Sequence, residues 1–335
     1  MSIETYPAYG RDFAIEGIRQ LDQIMVGREI PKAAGIVAVA AGVNLVYLGG
    51  TGRGKTELAL ALPQLISDIH PENVAEVPIQ NDLSGMQLIG GASTFTKEMV
   101  KGDRTTTEHT HTMLDGVIRP ETQVVMIDEI NRGSPKTFES LLGMLESRRI
   151  VTLEGVREVP NLEFVMATMN PHETYEATQP VAHATISRFS AGAIFDRGGS
   201  REERIANVKK IGELPKDAII EPITDLATIH RMRQDAQKVA MPESMETKIA
   251  QLAVNTSDAL WEETRLNLDD GEERISTQVR KLARIITILS NETSVNEQAV
   301  HNALGLVVAA RVGMGHSNAV ERGPEIVNNI ISSSF

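Results

Sequence analysis

The sequence contains no cysteine among its 335 residues, which excludes disulfides, thiolate metal sites and thiol nucleophiles. Aromatic residues make up only 4% of the chain. No apolar run approaches the roughly 20 residues that a membrane-spanning helix needs, and the first residues lack the basic-then-apolar pattern of a signal peptide. We therefore expect a cytoplasmic protein without a membrane partner.

Positive charge is also scarce. The chain has 33 Lys and Arg residues against 45 Asp and Glu residues, which gives a formal net charge of −12. Nucleic acid is a polyanion and needs a basic surface to bind. Basic pairs such as Arg148-Arg149 and Lys209-Lys210 are too short to form one. The composition argues against nucleic acid as a partner.

Short apolar runs and helical patterns alternate through the first 200 residues. This alternation predicts an α/β domain whose parallel sheet is covered on both faces. Beyond residue 200 the apolar periodicity is helical. A Ser294–Glu297 capping box predicts the start of the last long helix, and the acidic segment 267–273 reads as a linker. The predicted strands are 44–48, 74–79, 124–127, 164–168 and 193–195, and the predicted helices are 56–67, 226–238, 243–266, 277–289 and 295–310.

Two segments have the pattern of β-hairpins. Residues 150–153 and 156–159 are two β-rich runs around a turn that contains Gly155. The threonine-rich stretch 93–111 is a weaker hairpin candidate. It also contains His109 and His111, whose alternate spacing could place both rings on one face of a strand as metal ligands. Since no further ligand suggests itself, a solvated surface is the preferred interpretation.

A complete phosphate-binding loop follows the first predicted strand. It consists of Gly49, Gly50, Thr51, Gly52, Arg53, Gly54, Lys55 and Thr56. Glycines let the backbone wrap a phosphate with its N–H groups pointing inward. In this motif Lys55 contacts the β- and γ-phosphates of ATP, and the Thr56 hydroxyl binds Mg²⁺. The motif predicts ATP and Mg²⁺ as cofactors and ATP hydrolysis as the activity.

Two later strands end in polar residues that suit hydrolysis. The run 124–127 leads into Asp128 and Glu129. Asp128 would lie beside Mg²⁺, and Glu129 would orient or deprotonate the attacking water. The run 164–168 leads to Asn170, whose amide could hold that water. A turn asparagine before Pro171 is the commoner explanation of Asn170 taken alone, but its place after the two motifs above reverses that preference.

Five segments in order resemble the MoxR-type AAA+ ATPases, including the NorQ and CbbQ branch. They are Val26-Gly-Arg-Glu29, the loop 49–56, Asp128-Glu-Ile-Asn-Arg132, the helix pattern from Ser134 to Glu146, and Ala167-Thr-Met-Asn-Pro171. The resemblance implies an AAA+ core over residues 1–200 with a parallel five-stranded sheet and a helical lid over 201–335. It also implies a helix 2 insert at 83–118 and a hairpin at 148–159 before sensor 1.

The resemblance implies roles for further residues. Val26 and Gly27 lie in the segment that packs on adenine, and Asn170 is similar to sensor 1. Arg188 is similar to the arginine finger that reaches into a neighbouring subunit, although Ser187 stands where many relatives have Asp. Gln278 occupies the position where relatives often have the sensor 2 arginine. Arg280 is therefore the candidate for that role.

The resemblance also implies a ring, hexameric by expectation, that remodels, activates or assembles a protein client with a von Willebrand factor A domain adaptor. Three alternatives stay open: a motor or loader that acts on nucleic acid, a chelatase-like ATPase that drives metal insertion, and a scaffolding ATPase. The charge balance argues against the first alternative only.

Overall fold

A computed structural model describes residues 8–79, 88, 90–101, 104–152, 155–170, 181–195, 201–215, 218–264, 271–315 and 319–334. Five parallel strands form the central sheet in the order β2-β5-β8-β1-β9. They are β1 (Leu45–Gly49), β2 (Val74–Pro78), β5 (Val124–Asp128), β8 (Phe164–Met169) and β9 (Ala191–Phe195). The predicted α/β class and five-stranded parallel sheet are confirmed.

Four of the five sheet strands are buried along almost their whole length, and only the edge strand β2 alternates between buried and exposed residues. Every residue of β1 and of β8 is buried, as expected for strands with helices on both faces. In the pairing register Leu45 lies beside both Met166 of β8 and Ala191 of β9. Successive residues of a strand point to opposite faces of the sheet. Leu45 and Tyr47 belong to one hydrophobic cluster and Val46 and Leu48 to a second, so both faces are packed.

Two antiparallel hairpins stand apart from the sheet. One pairs β3 (Gly90–Lys101) with β4 (Arg104–Asp115), and the other pairs β6 (Arg149–Thr152) with β7 (Gly155–Glu158). Both predicted hairpins are present, and the first is longer than the sequence pattern indicated. At its base the Ile118 N–H donates to the Leu88 carbonyl at 2.7 Å.

Helices before and between the strands cover the sheet. They are α1 (Tyr9–Leu21), α2 (Glu29–Ala41), α3 (Lys55–Ala61), α4 (Pro135–Ser147) and α5 (His183–Ile186). The prediction of one helix over 56–67 was wrong in extent. The α-helix stops at Ala61, and Pro63–Leu65 forms a 3-10 turn, because proline has no N–H and its ring disfavours the helical geometry of the preceding turn.

In the described residues beyond 200 the regular secondary structure is helical, apart from isolated bridges, and short irregular segments join the helices. Its helices are α6 (Arg201–Glu213), α7 (Leu226–Lys238), α8 (Glu243–Thr264), α9 (Gly271–Leu289), α10 (Glu297–Gly315) and α11 (Ala319–Ser334). The predicted helix 226–238 agrees with α7 at both ends. The segment after residue 315 carried no helix prediction, yet α11 occupies most of it.

Two predicted helix starts were wrong. Gly271, Glu272 and Glu273 belong to the first turn of α9 and not to a linker, since carboxylates are favourable at the positive end of a helix; residues 265–270 lie outside the described part. The Ser294 capping box does not form. Asn296 accepts a hydrogen bond from the Ala299 N–H at 2.8 Å, and the Ser294 hydroxyl donates to the Ala240 carbonyl instead.

The helical region packs directly on the sheet. Helix α10 lies against β9 and β1, and residues from both halves of the chain share one hydrophobic cluster. Gly192 in β9 permits this approach, because a Cβ there would lie 2.5 Å from both the Cα and the N of Ala310. The predicted domain boundary at residues 200 and 201 borders a segment, 196–200, that lies outside the described residues.

We expect Gly192→Ala to lower the free energy of unfolding by about 1–3 kcal/mol, because the new methyl group would collide with the backbone of α10 and force it to shift. Gly212→Ala is the matched control. Gly212 lies in α6 with open space around it, so this change should be neutral or stabilise by up to about 1 kcal/mol. Denaturant unfolding of both variants checks the prediction, and an equal effect of the two changes would contradict it.

Candidate active site

The candidate active site lies where three neighbouring parallel strands end. β1 leads into the glycine loop, β5 into Asp128 and Glu129, and β8 into Asn170. Strands β5 and β8 are adjacent, as are β8 and β1. The carboxyl ends of parallel strands meet at one edge of a sheet, where ligands commonly bind. Side chains that are distant in sequence are therefore brought together.

The glycine loop has a backbone that only glycine adopts easily. Gly52 has φ 71° and Gly54 has φ 82°, both in the left-handed region. Gly49 has a different requirement, because a Cβ there would lie 2.6 Å from the Cβ of Phe195 in the neighbouring strand. Three of the predicted loop glycines thus have a structural reason in this chain.

Lys55 is the buried cation of the site, with 7% of its surface exposed. Its Nζ donates to the carbonyls of Gly49 at 2.7 Å and Gly50 at 3.0 Å, and to the Asn170 Oδ1 at 3.0 Å. Burial lowers the pKa of Lys55 to about 8, while the charges of Asp128 and Glu129 act in the opposite direction. An anionic ligand beside Lys55 would favour its charged form.

Thr56 and Asp128 supply neighbouring oxygens. The Thr56 hydroxyl donates to the Asp128 Oδ1 at 3.1 Å, and the Thr168 hydroxyl donates to the same oxygen at 2.5 Å. Hard divalent cations such as Mg²⁺ prefer a few protein oxygens and keep several waters. The donor set therefore fits Mg²⁺, with Thr56 and Asp128 as the residues that would hold it.

Glu129 is held in an unusual backbone conformation, with φ 54° and ψ 52°. Its N–H donates to the Thr168 hydroxyl at 3.0 Å, and its Oε1 accepts from the Asn170 side-chain amide. The Nε of Arg132 forms an ion pair with the Glu129 Oε2 at 2.7 Å. The Nε–H does not point at this oxygen, so the contact is not a hydrogen bond. Glu129 and Asn170 thus form a direct pair beside Lys55.

Two site residues were not identified from the sequence. Thr168 bridges Asp128 and Glu129, and Asn131, which is fully buried, donates to the Asn170 backbone carbonyl at 2.9 Å. The available signal was the family resemblance, because Asn131 lies in the segment 128–132 and Thr168 in the segment 167–171. The register then explains the contact of Thr168, since Ile127 pairs with Ala167 and the next residues along the two strands are Asp128 and Thr168.

A cavity of about 1620 Å³ opens beside the glycine loop. Its lining includes Val26 and Gly27, the segment predicted to contact adenine, together with loop residues 52–54. Helix α6 contributes Asn207 and the apolar residues Val208 and Ile211. A nucleotide whose phosphates lie on the loop would find an apolar wall for its base in this cavity.

Arg188 and Arg280 are not brought to this cluster. Arg188, two residues after the end of α5, pairs with Glu146 at 2.7 Å. Arg280 in α9 pairs with Glu246 of α8 at 2.6 Å and bonds to Ser276. None of these partners belongs to the glycine loop or to the ends of β5 and β8. The cavity-lining residues of α9 are Ile286 and Leu289, and Arg280 is not among them.

The described residues contain no group of three or more His, Cys, Asp or Glu side chains that could hold a metal ion. The side chains of His109 and His111 lie outside the described part, so the histidine-pair hypothesis stays a prediction. Among the described helices none combines the length and apolarity that crossing a membrane requires.

Comparisons with known proteins agree with this geometry. The family model for the AAA domain of the dynein-related subfamily matches residues 44–189. An uncharacterised protein of Staphylococcus haemolyticus is 30% identical over 209 residues, which cover 59% of this chain and 73% of that protein. The chain belongs to the AAA family. It is an AAA+ ATPase, a nucleotide-binding protein and an ATP hydrolase.

Other relatives of this AAA+ ATPase are similar over parts of their length. The uncharacterised Bacillus subtilis protein YeaC is 27% identical over 175 residues, and the match spans about half of that protein, 49%. A crystal structure from Cytophaga hutchinsonii, of a protein provisionally assigned as an ATPase, has a TM-score of 0.69 at 18% identity. The structural match covers 97% of this chain and 95% of the Cytophaga chain, so the two proteins share a fold.

We expect Thr168→Val to lower ATP turnover about 10–100-fold, as is typical when a residue that orients metal ligands is lost. The change keeps the side-chain shape but removes the hydroxyl that positions both Asp128 and Glu129. Thr287→Val is the matched control, because its buried hydroxyl donates only to the Ala283 carbonyl of its own helix. Steady-state turnover at several Mg²⁺ concentrations, with thermal unfolding, provides the measurement. Equal turnover of the two variants would contradict the role of Thr168.

Proposed function

We propose that the chain is a ring-forming ATPase of the MoxR type that couples ATP hydrolysis to the remodelling, activation or assembly of a protein client. The observation that carries this proposal is how the residues at the ends of β1, β5 and β8 are arranged. Lys55, Thr56, Asp128, Glu129 and Asn170 form one contact network, while Arg188 lies outside it. A site that contains these five residues but not Arg188 fits a finger supplied by a neighbouring subunit.

In this proposal the residues of the chain divide the work of hydrolysis. Lys55 binds the β- and γ-phosphates, and Val26 and Gly27 contact the base. Glu129 accepts a proton from the attacking water while Asn170 holds that water and the carboxylate in place. Bound Mg²⁺, held by Thr56 and Asp128, would offset the phosphate charge.

Arg188 is the proposed finger. A guanidinium is planar and always charged, so it can stabilise charge that spreads over a transferred phosphoryl group. In the single chain Glu146 Oε2 lies 2.7 Å from Arg188, and 52% of the Glu146 side chain is exposed. The Arg188 side chain is 16% exposed, so solvent screens the ion pair mainly at its Glu146 end, which weakens it. The finger could therefore exchange Glu146 for a neighbour's nucleotide in a ring, hexameric in our proposal.

The proposed substrate of the ring is a protein client, recruited with a von Willebrand factor A domain adaptor in the cytoplasm. A net charge of −12 per chain is unsuited to nucleic acid, and a ring multiplies it. The hairpins β3–β4 and β6–β7 form two-stranded sheets that are not hydrogen-bonded to the catalytic sheet. They are the proposed contact elements for client or adaptor, in agreement with the inserts expected at 83–118 and 148–159.

We expect Arg188→Ala to be inactive alone, and Lys55→Ala likewise, yet a mixture of the two should regain part of the ATP turnover. Some interfaces in mixed rings would pair an intact loop with an intact finger. ATPase assays on the single variants and on a mixture series, with co-assembly checked by size exclusion, provide the measurement. Full activity of Arg188→Ala, or no recovery in rings that do co-assemble, would rule out the finger in a neighbouring subunit.

Duplex and single-stranded DNA should neither bind at moderate salt nor accelerate ATP turnover, because a chain with a net charge of −12 is poorly suited to displace the counterions condensed on DNA. An adaptor of the proposed class should change turnover severalfold. Gel shifts and ATPase titrations with both kinds of DNA are the test. Salt-sensitive DNA binding together with faster hydrolysis would favour a nucleic-acid motor or loader instead.

A further inference from the structure

The turn that carries Arg188 is attached to the helical region by buried polar contacts. The side-chain amide of Gln278 in α9 donates to the backbone carbonyl of Ser187 at 3.0 Å. Its Oε1 accepts from the Arg311 guanidinium in α10 at 2.8 Å. Ser187 directly precedes the proposed finger, so two helices of the region beyond residue 200 are linked to the finger through these contacts.

These groups are all out of water. Ser187 is 3% exposed, Gln278 9% and Arg311 0%. A buried guanidinium is costly unless its charge and its N–H groups are satisfied. Arg311 also donates to the Val307 carbonyl of its own helix at 3.1 Å. An apolar pair of similar size would fill this space without the desolvation cost, so stability alone does not account for an arginine and a glutamine here.

The same turn is held from the other side by the sheet. The Asn44 amide, just before β1, donates to the Arg188 carbonyl at 2.9 Å and to the Leu145 carbonyl at 2.8 Å. The backbone around the finger is therefore fixed at two consecutive carbonyls, by Asn44 from the α/β part and by Gln278 from the helical part. Such double fixation sets where the Arg188 side chain leaves the surface.

We propose that Gln278 and Arg311 are positioning residues for the arginine finger, so that the helical region of one subunit sets the finger it offers to the next. The inference rests on the proposed function, because it requires Arg188 to act on a neighbour's nucleotide. It assigns Gln278 a role different from phosphate sensing. Both ends of its amide are engaged in the buried contacts, and Gln278 does not line the cavity beside the glycine loop.

Gln278→Glu tests the contact to Ser187 selectively. The new carboxylate keeps the shape of glutamine and an acceptor for Arg311, and the adjacent guanidinium favours its ionised form. It has no N–H for the Ser187 carbonyl and places a negative oxygen against it. We expect turnover at saturating ATP to fall about 10–100-fold, the range for a misplaced reacting group, with ATP affinity within about twofold of the parent.

Mixing experiments show whether the defect acts in the same subunit or in its neighbour. They therefore distinguish a role in positioning the finger from a direct role at the subunit's own nucleotide. A Gln278→Glu subunit keeps an intact glycine loop and offers a displaced finger. Mixed with Lys55→Ala, which offers an intact finger, it should regain turnover, as Arg188→Ala does. Mixed with Lys55→Ala, the double variant Arg188→Ala with Gln278→Glu should regain the same turnover as Arg188→Ala, because it has no finger left to position.

A control variant and a second variant accompany the test. Thr256→Val removes a buried polar contact between α8 and α11, where the Thr256 and Ser334 hydroxyls lie 3.2 Å apart, and it should leave turnover unchanged. The double change Gln278→Leu with Arg311→Met removes both partners together, which avoids an unpaired buried charge. It should fold and show the same loss of turnover and the same recovery with Lys55→Ala.

Each outcome decides the proposal. Parent-like turnover of Gln278→Glu overturns the positioning role and leaves the proposed ATPase ring intact. A loss that Lys55→Ala does not rescue, in mixtures where Arg188→Ala is rescued, overturns it in favour of a role within the same subunit. If Arg188→Ala alone is fully active, the finger assignment in the proposed function fails, and the positioning role fails with it.

Discussion

Strand β8 lies between β1 and β5, and its parallel pairing with both strands sets the positions of all the side chains at the site. Because the register places Ala167 beside both Val46 and Ile127, the carboxyl ends of the three strands lie within two residues of one another. Lys55, which follows β1, can then reach Asn170, which follows β8. A register shift of one residue would turn Thr168 to the opposite face and separate Asp128 from the hydroxyl that holds it.

The burial of Lys55 depends on the same alignment. A lysine with 7% exposure would be unfavourable without polar partners. The loop carbonyls and the Asn170 amide supply them, and the two carboxylates after β5 offset part of the desolvation. The polar groups of the site lie at the end of buried, apolar strands. In such low-dielectric surroundings the Lys55 ammonium attracts a phosphate more strongly than it would in water.

The helical region contributes to the architecture in a second way. Helix α10 lies so close to β9 that Gly192 has no room for a side chain, and it carries the buried Arg311. The contact between α10 and the sheet fixes Arg311, Arg311 holds Gln278, and Gln278 bonds to the turn before Arg188. The helices after residue 200 are thus joined to the sheet by both close apolar packing and buried hydrogen bonds.

Elements with strong local patterns could be predicted. The buried strands are continuous apolar runs, and α7 has a clear start because Asp225 accepts from the Thr228 N–H at 2.7 Å. Elements that depend on competition between local signals could not. Ser294 and Asn296 both offer a cap for α10, and the chain path that brings Ser294 to Ala240 leaves Asn296 as the cap.

The sequence by itself determined the glycine loop, the acidic pair after β5 and the asparagine after β8, because each is a local pattern whose chemistry is readable from residue type and spacing. Only the tertiary structure decided which residues hold these groups and the turn before Arg188 in place through hydrogen bonds. Thr168, Asn131, Gln278 and Arg311 act through contacts with residues far away in the sequence, with Gln278 reaching Ser187 from 91 positions later. Such contacts follow from strand register and helix packing, which no local pattern records.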